Sequence, residues 1–288
     1  MAATTYDMPN YLHTKDNVAL FYRDWGQGQP LLFLSGWALN ADAWAYQMLP
    51  LSQQGFRCIA YDRRGHGRSS DPGRGFDYDT LADDLAFVIE ALDLSGATLV
   101  AHSFASGETV RYLTRHGAKR ISRLLLLAPA AIPFLMKTAD NPLGVDKEIA
   151  DRVRADMSRD FPGWCDANAE GYFTPGTSRR VVDWTIQTMT QTSLLAATRI
   201  SEIQMRTDLR PELAGIDIPT LIVQGDRDVS APIEITGRPA AALIPGARLE
   251  IYEGAPHGLY FTHQERLNAD IARFAAGRRR VTQNPVDG

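Results

Sequence analysis

Short apolar runs that alternate with helix-patterned segments are the feature that most limits how this chain can fold. Within the runs polar residues are few, as is typical of strands buried on both faces. In residues 78–94, by contrast, apolar side chains recur at the spacing of an amphipathic helix. Buried strands separated by helices predict an α/β fold, with a mostly parallel sheet covered by helices on both faces. The runs are Val18–Trp25, Leu31–Leu34, Phe56–Tyr61, Thr98–Ala101, Ile121–Ala128, Thr220–Gln224 and Arg248–Tyr252.

The alternation is interrupted once, over residues 131–211, where no strand pattern occurs. This stretch is rich in aromatic residues, methionine and helix formers, and a structureless loop of that length would be unusual. We therefore predict a helical cap at 131–211, inserted into a core formed by residues 1–130 and 212–277. Residues 278–288 are predicted to be a flexible C-terminal tail. Its three arginines, residues 278–280, suggest a solvated end or, as the alternative, a phosphate-binding patch.

Composition excludes several classes of protein. The chain has 288 residues, of which 44% are hydrophobic, so it can bury a full core. Its net charge of −4 argues against a nucleic-acid partner. No apolar run approaches the roughly 18 residues of a membrane span, and the N-terminus lacks a signal-peptide pattern. We predict a cytoplasmic protein without a membrane partner. Because no histidine and carboxylate pair has metal-ligand spacing, we predict no metal and no other cofactor.

A serine follows one of the buried strands directly. Ser103 comes after the run Thr98–Ala101, and small residues and a helical pattern follow it. A tight strand-to-helix turn would present the hydroxyl to a base and place the next backbone N–H at a helix N-terminus. The positions that flank such a serine at two residues' distance are usually glycine, and here they are Ala101 and Ala105. Ser103 is therefore the predicted nucleophile; the alternative is a serine that merely caps the helix.

Two later strand ends carry the partners that a serine nucleophile needs. Asp226 and Asp228 follow the run Thr220–Gln224, and His257 follows the last strand in a Gly/Pro loop. A carboxylate at a strand end can orient a histidine, and we favour Asp228 over Asp226, which could be an ordinary turn residue. The chain order Ser, Asp, His is the one expected when each residue ends its own strand in this type of sheet.

A second strand end predicts the oxyanion hole and the substrate pocket. The run Leu31–Leu34 leads into a glycine turn, so the backbone amides of Trp37 and Phe104 are the predicted oxyanion donors.

An apolar pocket should lie beneath the cap, although cap aromatic residues could equally pack on one another. The loop at residues 62–67 is interpreted as structural support for the site. The predicted pocket residues are Trp37, Phe104, Trp164, Phe173, Trp184 and Leu259.

Four segments together, residues 35–44, 61–70, 225–232 and 254–259, resemble the cofactor-free bacterial haloperoxidase/arylesterase branch of the α/β-hydrolases. The resemblance covers roughly residues 18–276. It implies an eight-stranded sheet with a helical cap, the triad Ser103, Asp228 and His257, and oxyanion donors at Trp37 and Phe104. Members of this branch hydrolyse esters, and some form peracids from carboxylic acids and peroxide. The chain departs from the usual pattern, which has His at residue 35, often Pro at 38, and glycines at 101, 105 and 106.

These patterns predict a serine hydrolase that cleaves an apolar or aromatic ester or lactone through an acyl-enzyme intermediate. The same triad could instead serve carbon–carbon bond hydrolysis, lyase or peroxidase/perhydrolase chemistry, because a fold does not settle a function. A further alternative is a ligand-binding protein on a hydrolase scaffold. An apolar cap can also form a dimer surface, so a homodimer is a possible assembly.

Overall fold

An eight-stranded sheet forms the centre of the computed structural model, which describes residues 10–277. The strand order is β1-β2-β4-β3-β5-β6-β7-β8, with β2 antiparallel to both neighbours and the strands from β4 onward parallel. This is the predicted mostly parallel sheet, with the eight strands that the resemblance implies. The strands are β1 (Tyr11–His13), β2 (Ala19–Trp25), β3 (Gln29–Leu34), β4 (Phe56–Tyr61), β5 (Ala97–His102), β6 (Ile121–Leu127), β7 (Thr220–Gly225) and β8 (Arg248–Tyr252).

Helices cover both faces of the sheet, because alternate strand residues point to opposite sides. Leu32 and Leu34 of β3 pack with α2, α3 and α9 on one face. Leu31 and Phe33 of the same strand pack with α1 and α11 on the other. The helices around the sheet are α1 (Ala45–Gln53), α2 (Tyr78–Ala91), α3 (Ala105–His116), α9 (Gly237–Leu243), α10 (Leu259–Thr262) and α11 (Gln264–Ala275).

The segment between β6 and β7 is helical. Two isolated β-bridges, Met136–Val145 and Thr138–Asn141, precede the first helix. Ser193 caps one of the longer helices, since its hydroxyl accepts a hydrogen bond from the amide of Ala196. The helices are α4 (Lys147–Arg159), α5 (Phe161–Asn168), α6 (Arg179–Met189), α7 (Leu194–Arg206) and α8 (Arg210–Leu213), with a short 3₁₀ turn at Glu170–Tyr172.

All seven apolar runs are strands, β2 to β8, with ends within two residues of those predicted. The edge strand β1 was missed, because three residues are too few to produce an apolar run. The predicted C-terminal tail, residues 278–288 with its three arginines, lies outside the described residues. Among residues 10–277, no helix has both the length and the apolarity that crossing a membrane requires.

Candidate active site

Ser103 occupies a sharp turn between β5 and α3. Its φ angle is +56°, in the left-handed region that non-glycine residues rarely adopt and that costs of order 1 kcal/mol or more. Two bonds hold the turn: the Ser103 amide donates to the Leu127 carbonyl at 2.9 Å, and the Ser106 hydroxyl donates to the Ser103 carbonyl at 2.6 Å. The strained conformation places the Ser103 side chain at the carboxyl edge of the sheet.

Small residues let neighbouring chain segments approach this turn. Ala101 and Ala105 are fully buried, so alanine fits where glycine is usual. A Cβ atom on Gly36 would lie 2.7 Å from His102 Nδ1 and 3.1 Å from the Ser103 Cβ. The loop after β3 therefore lies directly against the turn, and residue 36 has no room for a side chain.

A continuous chain of hydrogen bonds joins Ser103, His257 and Asp228. His257 Nε2 lies 2.8 Å from Ser103 Oγ, and His257 Nδ1 lies 2.8 Å from Asp228 Oδ2. The other carboxylate oxygen of Asp228 accepts from the Ala231 amide at 2.8 Å, which fixes its orientation. All three side chains are buried. The fold thus brings together the three residues that the sequence singles out at three separate strand ends.

Asp226 has a different environment from Asp228. It is exposed, and its carboxylate accepts from the Gly254 amide at 2.7 Å. This bond ties the loop after β7 to the loop that carries His257. A Cβ atom on Gly225 would lie 1.9 Å from the Ala255 carbonyl oxygen, so the two loops are in tight contact. Asp226 supports the loop pair, whereas Asp228 contacts the histidine.

The predicted oxyanion donors, the amides of Trp37 and Phe104, belong to two chain segments that border Ser103. Phe104 follows the serine and precedes α3, and Trp37 follows Gly36, which borders the serine Cβ. Neither amide donates a hydrogen bond to another residue in the range 10–277. The loop that carries Trp37 is closed by the Ser35 hydroxyl, which donates to the Asn40 carbonyl at 2.8 Å. Two free N–H groups next to a serine hydroxyl can stabilise a negative oxygen there.

A cavity of about 760 Å³ opens above Ser103. Three of the predicted pocket residues, Trp37, Trp164 and Phe173, line it. Of the described residues that line the cavity, Glu170 is the one carboxylate, and none is lysine or arginine. Further apolar lining comes from the helices between β6 and β7, namely from Val153, Met157, Ile186, Met189 and Met205.

The other three predicted pocket residues do not line this cavity. Phe104 is the N-cap residue of α3. Its ring is buried beneath the turn and stacks on Tyr78 at 5.2 Å between ring centroids. Leu259 begins α10 and is fully buried in the core on the α1 and α11 side. Trp184 lies on the side of α6 that faces Tyr46, at 6.2 Å between ring centroids. Their assignment to the pocket required side-chain directions, which sequence spacing alone does not give.

Tyr172 is a site residue that the sequence did not single out. Its ring meets the His257 ring edge-on at 5.3 Å, and its carbonyl accepts from the Gly258 amide at 2.8 Å. Burial raises the pKa of the Tyr172 hydroxyl well above its ordinary value, so the ring stays neutral beside the histidine. Tyr172 is one of many aromatic residues between β6 and β7, and only the three-dimensional fold distinguishes it.

Two buried histidines, His102 beside His257 and His66 in the loop after β4, are held neutral. Burial, and to a lesser extent His257, lower the pKa of His102 well below its ordinary value. The ring Nε2 of His102 lies 3.2 Å from the His257 carbonyl oxygen. Burial also lowers the pKa of His66, to about 3, although its Nδ1 bonds to the Arg64 carbonyl at 2.9 Å. Protonation of either imidazole would place a positive charge in a buried position, so both rings stay neutral in the folded chain.

We expect the free energy of unfolding to fall as the pH is lowered from about 6.5 to about 5. In the unfolded chain His66 and His102 take up protons near an ordinary pKa of about 6.5, whereas in the folded chain they do not. The unfolded state then binds more protons, and stability falls by up to about 2.7 kcal/mol per pH unit when both titrate. Urea unfolding across this range measures the slope. A His66→Asn variant should show about half of it, and a flat wild-type profile contradicts the assignment.

Comparisons with known proteins agree with this geometry. Residues 29–264 match the family model described as the alpha/beta hydrolase fold. The non-heme chloroperoxidase CPO-A1 of Kitasatospora aureofaciens is 40% identical over 270 residues, covering 91% of this chain and 97% of the relative. The bifunctional esterase/perhydrolase DCH of Acinetobacter calcoaceticus is 36% identical, covering 92% and 98%.

Solved structures give the same result. The esterase EaEST of Exiguobacterium antarcticum superposes with a TM-score of 0.90 at 29% identity, covering 93% of this chain and 100% of that one. The predicted α/β-hydrolase fold and the resemblance to the haloperoxidases are thereby confirmed. The chain belongs to the α/β-hydrolase family, and its relatives include non-heme chloroperoxidases and esterases.

Proposed function

We propose that this protein is a serine hydrolase that cleaves neutral apolar or aromatic carboxylic esters, lactones included, through an acyl-enzyme on Ser103. The observation that carries the proposal is the hydrogen-bonded chain from Asp228 through His257 to Ser103, which ends at the cavity. A serine hydroxyl is a weak nucleophile until a neighbouring base takes its proton. His257 is within the distance at which that transfer occurs.

In the proposed mechanism, Ser103 Oγ attacks the ester carbonyl carbon while His257 Nε2 takes the hydroxyl proton. Asp228 holds the Nδ1–H of His257 and stabilises the imidazolium that forms. The amides of Trp37 and Phe104 donate to the developing oxyanion. When the tetrahedral intermediate collapses, His257 gives its proton to the departing alcohol. Water then attacks the acyl-enzyme by the same steps and releases the acid.

We place the binding pocket between a core, residues 1–130 and 212–277, and a cap, residues 131–211. The core contributes the triad and the oxyanion amides. Helices of the cap contribute apolar side chains to the cavity, among them Met157 of α4, Trp164 of α5 and Met189 of α6. Such a lining favours an apolar acyl or aryl group and keeps bulk water away from the reacting atoms.

The charge of the cavity narrows the substrate class. A substrate carboxylate buried there meets no lysine or arginine among the described lining residues, and Glu170 at the exposed side repels it. An unpaired buried charge costs several kcal/mol. We therefore infer that the site favours neutral esters over esters that carry a second, ionised carboxylate.

A matched pair of esters tests this proposal. We expect hydrolysis of p-nitrophenyl butyrate, and a kcat/KM about 100-fold lower for mono-p-nitrophenyl succinate, whose acyl chain has the same length but ends in a carboxylate. Release of p-nitrophenol measures both rates. If the protein hydrolyses neither ester, the esterase assignment is contradicted. Equal rates leave the hydrolase in place and contradict the substrate class.

Perhydrolysis is a second candidate, favoured by the relative named as a bifunctional esterase/perhydrolase. Here hydrogen peroxide, rather than water, would attack the acyl-enzyme and release a peracid. Adding peroxide to the butyrate assay separates the two reactions, because perbutyric acid oxidises a halide or dye and butyric acid does not.

A further inference from the structure

A buried ion pair that the proposed triad does not use lies beneath the Ser103 turn. Arg63 is 3% exposed and Glu108 is 0% exposed. Arg63 Nε donates to one carboxylate oxygen of Glu108, and the Tyr61 hydroxyl donates to the other. Burial and the charge of Glu108 raise the pKa of Tyr61 well above its ordinary value, so Tyr61 keeps the proton that it donates.

The outer nitrogens of Arg63 reach the loop that carries Trp37. One donates to the Ser35 carbonyl, and the other lies 3.4 Å from the Gly36 carbonyl oxygen. In a trans peptide the C=O and the following N–H point in opposite directions. Holding the Gly36 carbonyl toward Arg63 therefore directs the Trp37 N–H away from it.

The same arginine also contacts the second oxyanion segment. Its guanidinium carbon lies 5.2 Å from the centroid of the Phe104 ring. Its partner Glu108 is in the first turn of α3, the helix that begins after Phe104. A single side chain thus joins the loop after β3 to the start of α3, the two segments whose amides flank Ser103.

We propose that Arg63 is a positioning residue that sets the relative orientation of the Trp37 and Phe104 amides. The inference rests on the proposed serine hydrolase function. Only a guanidinium has the planar fork that can serve a carboxylate and two carbonyls together; a lysine ammonium at the same position is a point charge on a flexible stem. A buried pair of this kind contributes little net stability compared with apolar packing, so its value lies in the geometry that it fixes.

The variant Arg63→Lys, matched with Arg64→Lys, tests the proposal. Arg64 is as deeply buried as Arg63, but it pairs with Asp84 at 2.7 Å and Asp16 at 3.1 Å, away from the oxyanion segments. Three quantities are measured for each variant: kcat/KM for p-nitrophenyl butyrate, inhibition by phenylboronic acid, and inhibition by the uncleaved amide N-phenylbutanamide. The boronate forms a tetrahedral adduct on a serine, whereas the amide only occupies the pocket.

We expect Arg63→Lys to lose about 100-fold in kcat/KM and a similar factor in boronate affinity, as when one oxyanion donor is lost. Amide binding should change by less than about threefold. Arg64→Lys should keep both catalytic quantities near wild type. Unchanged boronate affinity in Arg63→Lys, or equal losses in both variants, would overturn the proposal.

A second variant covers the case in which Arg63→Lys does not fold. Glu108→Gln keeps the shape of the partner and removes its charge, and we expect it to lower kcat/KM and boronate affinity together, by about tenfold. A folded Glu108→Gln protein with wild-type values of both overturns the inference. If the wild type itself neither hydrolyses the ester nor binds the boronate, the proposed function has failed instead.

Discussion

Replacing Ser103 by alanine should lower kcat/KM for p-nitrophenyl butyrate by at least about 10⁴-fold, because no other hydroxyl is bonded to His257 Nε2 among the described residues. The substitution removes one oxygen and leaves the turn, so the free energy of unfolding should stay within about 1 kcal/mol of wild type. Ester hydrolysis and urea unfolding of the purified variant measure the two quantities.

The neighbouring serine provides the control for this variant. Ser106 lies three residues further along, and its hydroxyl donates to the Ser103 carbonyl, not to the histidine. Ser106→Ala should lose less than about tenfold in kcat/KM and about 1 kcal/mol of stability, as expected for one hydrogen bond. A Ser103→Ala protein that retains more than a tenth of the wild-type activity contradicts the nucleophile assignment.

Asp228→Asn should reduce kcat by about 10⁴-fold, whereas Asp226→Asn should remain active. The Asp228 carboxylate accepts the Nδ1–H of His257, which leaves Nε2 free to act as the base. An amide at residue 228 can instead donate to Nδ1 and favour the tautomer in which Nε2 already carries a proton. The Asp226 carboxylate accepts from the Gly254 amide, and the carbonyl of an asparagine can still do so.

The two aspartate variants are compared by steady-state kinetics and urea unfolding. Asp226→Asn should keep kcat within about threefold of wild type and lose about 1 kcal/mol of stability or less. Loss of activity in Asp226→Asn with retention in Asp228→Asn would exchange the two roles. Equal losses in both would show that the loop pair, and not one carboxylate, supports the histidine.

The candidate site residues that follow strands could be predicted from the sequence, because each apolar run shows where a strand ends. Ser103 and Asp228 follow the buried strands β5 and β7, His257 follows the edge strand β8, and the carboxyl ends of parallel strands meet at one edge of the sheet. The loop that carries Trp37 follows the apolar run Leu31–Leu34 in the same way. A residue at a strand end can be placed without knowledge of its side-chain direction.

Pocket residues could not be predicted as well, because their assignment depends on side-chain direction. Phe104 is next to the serine in sequence, yet its ring packs against Tyr78 beneath the turn. Trp164 and Trp184 are equally aromatic, but only the first lines the cavity. Arg63 was interpreted as structural support, and no pattern in the sequence pairs it with Glu108, which is 45 residues away.

The central claim, that Ser103 is the nucleophile, is tested most directly by labelling with a serine-directed fluorophosphonate followed by intact-protein and peptide mass spectrometry. We predict one adduct per chain, located on Ser103, formed with parallel loss of ester hydrolysis and absent from Ser103→Ala. Labelling should also be much slower in His257→Ala, because the hydroxyl then lacks its base. No adduct on an active protein, or an adduct at another residue that accounts for the lost activity, would contradict the claim.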